Sequence, residues 1–413
     1  MEILNVFLLD KLAGFLEYEK GNLSFRYSED YLLDSSAMPL SLSLPLQKDA
    51  FNHQETTVFF DNLLPPDTVR KRLGKILHLS RHNIFGFLKA IGGDCAGAIS
   101  LYSADLILDD NEMLPILREL SNEEAIEILT QLPKRPLNLG KEKGFRISGT
   151  GAQDKLIACV KDGKISLPLY GEPSTHIIKP PIKEYPNSVF NEFFCMRLAE
   201  KLGFQTPDCD ILYFDNIPYY CVKRYDRKEE NGKIFRLHQE DFCQLFSVDS
   251  EKKYENDGGP TVSVCFSLLK KLHIGVAGQI DFMRRVIFNF LIGNGDAHAK
   301  NFSVLYKGKK AKLAPVYDLL CTEIYDNLSR ELAMSIGKEF AFEKISRKSF
   351  QAMAVDCKIR PEIVIAQIED ITSQIIPAAE ALIAELSEYY SNSVYSDIFL
   401  IIRKNVEKLS EKI

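Results

Sequence analysis

Asp296 and Asn301 open and close an Asp-x-x-x-x-Asn run within Gly293-Asn-Gly-Asp-Ala-His-Ala-Lys-Asn301, directly after a strongly apolar stretch. A carboxylate and an amide at this spacing can divide the work of phosphoryl transfer. The carboxylate accepts the proton of an attacking hydroxyl, and the amide oxygen helps to hold a metal ion. Asp318, in Pro315-Val-Tyr-Asp318, follows 17 residues after Asn301. Carboxylate plus amide oxygen suits a hard cation that keeps several of its waters. The same loop also reads as a capped turn, because Gly, Asn and Asp dominate turns of every kind. His298 is open to three readings: packed polar side chain, catalytic group or metal ligand. The other histidines are too dispersed to assemble a zinc site.

Three further features precede this loop. Ser148-Gly-Thr-Gly-Ala-Gln-Asp-Lys155 is Gly-rich, and its small residues would let backbone N–H groups approach phosphate oxygens. It lacks the Gly-Lys-Ser/Thr ending of a Walker A loop, and by itself it reads equally as an ordinary turn. Lys179, in His-Ile-Ile-Lys-Pro-Pro, ends a short apolar run about thirty residues after Ser148. A lysine there could pair with the α- and β-phosphates of a nucleotide. Glu192 lies 13 residues later on an expected helix, where it could orient Lys179 by an ion pair. Lys179 and Glu192 each read alone as surface charges; it is their shared order with Asp296, Asn301 and Asp318 that favours phosphoryl transfer.

The elements that must position these residues change character along the chain. Residues 4–9, 14–18 and 23–27 are short apolar or alternating runs separated by turn-forming stretches. The run Leu-Ser-Leu-Ser-Leu-Pro-Leu at 40–46 alternates with period two and predicts a half-buried strand, with Pro45 at an edge or end. Residues 59–64 and 66–77 read as a turn into a basic amphipathic helix, and 91–101 as a Gly-rich turn into a strand. Ser121 and Glu124 form a capping box for a helix to about Leu132. Residues 133–144, with two Pro, two Gly and four basic side chains, predict a linker or exposed loop. Strands are expected at 155–160, 165–169, 176–179, 209–214 and 217–222, with one helix at 189–202. Beyond about residue 224 apolar residues recur at i, i+3, i+4, predicting helices at 239–245, 261–272, 278–292, 346–356, 361–386 and 394–409.

Composition narrows the class. The 413 residues suffice for two or three core-sized units, and 46% hydrophobic with 26% charged residues is ordinary for a soluble protein. Glu2 and the lack of small residues near the start argue against a signal peptide, and no apolar run spans a bilayer, so a cytoplasmic location is expected. The nine scattered cysteines form no Cys-x-x-Cys pair, which fits free thiols rather than a disulfide framework. A net charge of −6 opposes binding to a phosphate backbone. Basic patches such as 307–312 are short, so DNA association is expected only through a partner.

The blocks at 148–155, 176–180, 236–241 (Arg-Leu-His-Gln-Glu-Asp), 254–260 (Tyr-Glu-Asn-Asp-Gly-Gly-Pro), 293–303 and 315–318 resemble signatures of the HipA family of bacterial toxin kinases. Residues 39–45, 60–65 and 91–98 resemble that family's amino-terminal subdomain. The resemblance covers nearly the whole chain, and Asp-Ala-His-Ala-Lys-Asn is its most specific part. No His-Arg-Asp precedes the catalytic aspartate and no Asp-Phe-Gly follows it, as this divergent family implies.

The resemblance implies an α+β, two-lobed protein-kinase-like fold: an amino-terminal β subdomain (1–105), a β-rich lobe with the Gly-rich loop (106–223) and an all-helical lobe with the catalytic loop (224–413). It implies ATP and Mg²⁺, a serine/threonine protein substrate such as an aminoacyl-tRNA synthetase, a helix-turn-helix antitoxin, and no membrane. Asp296 would be the base, with Asn301 and Asp318 the Mg²⁺ ligands. Thr150, Gly151, Ala152, Gln153, Asp154 and Lys155 would cover the phosphates and Lys179 would bind them. Lys223, Arg224 and Tyr225 would line the adenine hinge, with His298, Lys300 and Tyr317 also at the nucleotide. Ser148 would match the loop serine that such kinases autophosphorylate, and Thr150 adds a second hydroxyl. Two other readings use the same residues or none: a small-molecule phosphotransferase, and a non-catalytic corepressor of a DNA-binding partner.

Overall fold

Leu4, Val6 and Leu8 are buried while their sequence neighbours are half-buried, the period-two pattern of a strand with one face on a core. In the computed structural model, which describes residues 1–104 and 115–410, this strand, Glu2–Leu8, lies in a four-stranded antiparallel sheet. The order is Asn22–Tyr27, Lys11–Glu19, Glu2–Leu8, Ile99–Ser103. The helices His53–Asp61 and Ile84–Ile91 pack on it. Phe25, Tyr27, Phe51 and Phe60 interlock in stacked, tilted and edge-on pairs between the sheet and the chain packed on it. The expected domain boundary at 105/106 lies outside the described residues.

The chain divides into two compact units. The first comprises Met1–Pro180, Leu212–Glu251 and Leu305–Lys310. Besides the sheet above it holds most of a six-stranded sheet ordered Ile116–Glu119, Lys164–Leu169, Leu156–Lys161, His176–Lys179, Ile217–Lys223, Cys209–Phe214. The turn Asp162-Gly163 has positive φ at both residues, the geometry of a two-residue hairpin. The helix Asn122–Gln131 starts at the expected Ser121–Glu124 capping box.

The second unit comprises Pro181–Ile211, Lys252–Val304 and Ala311–Ile413. The long helix Pro361–Ser387 buries Val364, Ile368, Ile371, Ile375, Ala379, Leu382 and Leu386, an i, i+3, i+4 stripe. It packs against the helices Val394–Ser410, Ser188–Lys201 and Val276–Leu291. Val276–Leu291 is buried almost all round from Phe282 onward, as a central helix must be.

Four expectations need correction. The segment 40–46 is no strand: it makes only a bridge from Ser41 to Leu44. Side chains replace the ladder, because the Tyr27 hydroxyl accepts from Leu40 N (2.8 Å) and donates to Leu44 O (2.5 Å), and His238 Nε2 meets Leu40 O (2.9 Å). The segment 133–144 is not exposed throughout, since Pro136, Leu137, Asn138 and Leu139 are buried in and just after a short 3₁₀ turn. The helix expected at 239–245 begins only at Phe242, after the strand Gln239–Asp241. Finally, the region after 224 is not all-helical. Arg227–Glu230 pairs with Lys233–Arg236 around the turn Asn231-Gly232, and Glu331–Ile336 pairs with Glu339–Ala341 around Gly337-Lys338. Both are tight two-residue turns, which helical periodicity does not register. Among the described residues no helix is long and apolar enough to cross a membrane.

Candidate active site

In the second unit, the loop begins where Val276–Leu291 ends. Gly293 adopts φ 71°, and a Cβ there would meet Ile401 and Glu323 at 2.8 and 3.1 Å. Its carbonyl accepts from the backbone N of Thr322 and Glu323, and the Thr322 hydroxyl accepts from Gly295 N at 2.7 Å. Asn294 is buried; its Nδ2 donates to Asn289 Oδ1 (2.7 Å) and its Oδ1 accepts from Asp296 N (3.1 Å). A buried amide thus fixes the backbone that presents the aspartate. Asn301 Nδ2 donates to Asp296 O at 2.9 Å, closing the loop.

Asp296 is 45% exposed at its side chain, and its Oδ1 accepts from the Tyr254 hydroxyl at 2.6 Å. His298 Nε2 lies 4.0 Å from the same oxygen. Burial holds the His298 pKa down at about 4 against the raising pull of Asp296, so the ring is neutral at neutral pH. Its buried Nδ1 has no protein partner among the described residues, and a buried polar atom of this kind is normally satisfied by a ligand or water. The Tyr317 hydroxyl donates its one proton to Lys300 O (2.7 Å) and accepts from Ser303 Oγ (2.6 Å). Asn301, Tyr317 and Asp318 line one cavity of about 10 Å³ together with Arg285, Asn289 and Asn294. That space accepts one water-sized centre. Asp318 has φ 51°, so its backbone turns sharply at the cavity wall. The amide of Asn301 and the carboxylate of Asp318, brought to one small cavity, are donor types that fit Mg²⁺, which takes few protein ligands and completes its shell with water and phosphate. Among the described residues no three His, Cys, Asp or Glu gather into a metal cage. Glu192 also lies in this unit, buried on the helix Ser188–Lys201.

The first unit holds the other candidates. Ser148 is 2% exposed, and its hydroxyl donates to Leu63 O at 2.6 Å. Gly151, at φ 91°, turns the loop. Lys155 folds back beneath it, donating to Gly151 O (3.0 Å) and Gln153 O (2.7 Å). Asp154 is held by both terminal nitrogens of Arg72 at 2.7 and 3.2 Å. Gln153 Nε2 donates to Pro180 O (3.0 Å), which ties the loop to the strand end carrying Lys179. Lys179 is buried, with its ammonium 5.7 Å from the centre of the Tyr220 ring. Thr150 is half-buried and Lys223 exposed. Tyr225 bonds Gln239 through its hydroxyl. The Arg224 side chain points into a buried ionic network with Asp94 and Asp226.

Loop spacing drew attention to Asp296, Asn301 and Asp318, which lie near one another along the chain. Tyr254, Asn294 and Arg285 carried no role in the sequence. The signal for Tyr254 was its place in Tyr-Glu-Asn-Asp-Gly-Gly-Pro, without any indication that the block folds back on Asp296.

A β-rich unit, a helical unit and an Asp-x-x-x-x-Asn loop at the end of a buried helix define the class: an α+β fold of the protein-kinase type. The model of the HipA N-terminal domain matches residues 4–102 and that of the HipA-like C-terminal domain residues 147–379, and the chain belongs to the HipA family. Y4mE of Sinorhizobium fredii, which is named as a kinase, is 37% identical over 95% of this chain and 94% of its own. The serine/threonine-protein kinase toxin HipA of Shewanella oneidensis is 32% identical over 82% of this chain and 79% of its own. The solved structure of a Shewanella oneidensis HipA, HipB and operator DNA complex matches with a TM-score of 0.84 and 28% identity, covering 98% of this chain and 95% of that one.

Proposed function

We propose that this chain is an ATP- and Mg²⁺-dependent serine/threonine protein kinase and the toxin of a toxin–antitoxin pair. The observation that carries the reading is the Asp296–Asn301 loop, braced by Asn294, whose Asn301 lines one cavity together with Asp318. Asp296 accepts the proton of the attacking Ser or Thr hydroxyl on the carboxylate oxygen that Tyr254 leaves open. Asn301 and Asp318 hold Mg²⁺, which neutralises charge on the phosphates when bound. Lys179, oriented by Glu192, binds the phosphates, and Thr150–Lys155 cover them. His298, Lys300 and Tyr317 flank the nucleotide, and Lys223–Tyr225 form its hinge through backbone rather than through the Arg224 side chain. The substrate is a protein, for which an aminoacyl-tRNA synthetase is the proposed candidate, and the compartment is the cytoplasm. Mass spectrometry of phosphopeptides from cells expressing the wild type and Asp296→Asn tests the reading. Sites present only with the wild type support it; identical phosphopeptide sets refute it.

The chain also phosphorylates Ser148, and Thr150 as a second site. Modification of Ser148 must break its bond to Leu63 O, so the loop leaves its present place first. A phosphoryl group adds about −1.5 to −2 charges and opposes return of the loop over ATP's phosphates. The Ser148→Ala, Thr150→Ala double variant should therefore keep its ATP affinity after incubation with ATP, while the wild type loses it. Phosphopeptide mapping that finds neither residue modified would remove this switch and leave the kinase reading standing.

DNA association requires a basic helix-turn-helix antitoxin. The relative from Shewanella oneidensis was solved with HipB and operator DNA, and the present chain carries a net charge of −6. In a gel-shift at physiological salt the isolated protein should leave operator DNA unshifted. Tight sequence-specific binding without a partner would overturn this.

A further inference from the structure

Of the block Tyr254-Glu-Asn-Asp-Gly-Gly-Pro260 only the Tyr254 hydroxyl enters the account above, yet the rest of its backbone is held in place as well. Glu255 grips Ser335 twice, at the backbone N (2.7 Å) and the hydroxyl (2.8 Å). The chain then reverses tightly, with Asp257 N and Gly259 N both donating to Tyr254 O at 3.1 and 2.8 Å. Gly258 takes φ 91°. A Cβ on Gly259 would stand 2.6 Å from both Lys252 O and Tyr254 O, so only glycine permits this reversal. On the other side, Ala299 N of the catalytic loop donates to Lys253 O at 3.4 Å. The Lys253 ammonium lies 5.0 Å from the centre of the Tyr254 ring, and the His298 ring meets Tyr254 edge-on at 5.2 Å. All of these contacts fall within the second unit.

We infer that this block is an arm whose purpose is to aim the Tyr254 hydroxyl at Asp296, making Tyr254 a positioning residue for the catalytic base. The inference rests on the kinase reading. Tyr254 donates to Oδ1 at 2.6 Å. With Oδ1 held, the carboxylate cannot rotate freely, and Oδ2 is the oxygen turned to the substrate hydroxyl. The His298 ring, edge-on at 5.2 Å, supports the tyrosine from the side. The arm therefore selects one rotamer of a side chain that is otherwise 45% exposed and free to sample others.

Tyr254→Phe removes only the hydroxyl. Loss of a hydrogen bond to a charged group corresponds to about a tenfold or larger effect, so kcat at saturating ATP should fall about tenfold or more. The KM for ATP should stay within about twofold and the melting temperature close to wild type, a split that a merely structural residue would not produce. Gly259→Ala, which pushes the reversal open, should reproduce the kcat loss with the tyrosine still present. Wild-type kcat in Tyr254→Phe, alongside an inactive Asp296→Asn, overturns the positioning role and leaves the kinase reading intact. Equal losses in kcat and ATP affinity would also overturn it, by making Tyr254 a general structural support. If the wild type itself shows no Asp296-dependent transfer, both readings fall together.

Discussion

If Asp296 is the proposed base, Asp296→Asn should lower phosphoryl transfer by about 10²–10⁴-fold, the usual worth of a general base, while ATP affinity should change by less than about twofold. The substitution is nearly isosteric. An asparagine oxygen can still accept from Tyr254, whose hydroxyl pKa is raised first of all by burial, which the substitution leaves in place, so it remains a donor. The backbone bonds from Asp296 N to Asn294 and from Asn301 Nδ2 to Asp296 O do not involve the carboxylate at all. The loop should keep its shape, then, and only the capacity to take a proton is lost. Single-turnover transfer to a protein substrate, with ATP binding measured by calorimetry on the same preparations, separates the two effects. Near-wild-type transfer would remove Asp296 as the base. Loss of ATP binding equal to the loss of rate would place Asp296 at the nucleotide instead.

The loop at 293–301 stood out in the sequence because its geometry is local: Asp296, His298 and Asn301 are held within one turn of chain by their own backbone. Helices with a continuous apolar stripe, such as Pro361–Ser387, and strands with clean alternation, such as Glu2–Leu8, were readable for the same reason. What was not readable depends on partners remote in sequence. Tyr254 meets Asp296 across 42 residues. The alternation at 40–46 predicted a ladder, but the Tyr27 hydroxyl and His238 occupy the backbone groups a neighbouring strand would have used. Short strands were missed where charge obscures them: Arg227–Glu230 is charged at every position and Lys233–Arg236 is charged at both ends, so neither shows a period-two apolar pattern, and only the Asn231-Gly232 turn marked the hairpin. In the Gly-rich turn at 91–101, Asp94 looked like one more turn residue, and its partners lie 80 to 142 residues away.

Those partners make Asp94 the position in the first unit where a single substitution should cost most. Its Oδ1 accepts from Arg227 (2.7 Å) and Arg236 (3.1 Å), and its Oδ2 from Arg224 (3.3 Å) and from both the N (3.1 Å) and the hydroxyl (2.6 Å) of Ser174. Among the described residues Asp226 is the other buried carboxylate of the cluster, bonded to Arg224 at 2.8 Å and Arg227 at 3.1 Å. Three guanidiniums thus share two buried carboxylates, with exposed Asp10 touching Arg236 at 3.3 Å. Burial by itself would raise the Asp94 pKa, but the charges of Arg227, Arg224 and Arg236 outweigh it and hold the carboxyl well below the usual range. Replacing a whole buried cluster with apolar groups can be neutral, whereas removing one partner strands the opposite charge. Asp94→Ala should therefore destabilise the protein by about 3–5 kcal/mol. Glu230→Ala, which breaks an exposed pair with Lys228, should leave stability close to wild type, because solvent screens such a pair. Because the folded pKa of Asp94 lies below its unfolded value, its contribution is present above the unfolded pKa of about 3.9 and is lost as pH falls through the folded one. The deficit of Asp94→Ala should then be constant from about pH 5 upward and shrink only in strong acid. Urea unfolding followed by far-UV circular dichroism, since the chain has no tryptophan, measures both variants. A loss below about 1 kcal/mol for Asp94→Ala would mean that Asp226, Asp10 and entering water suffice to neutralise the three arginines, and that Asp94 is not the centre of the cluster.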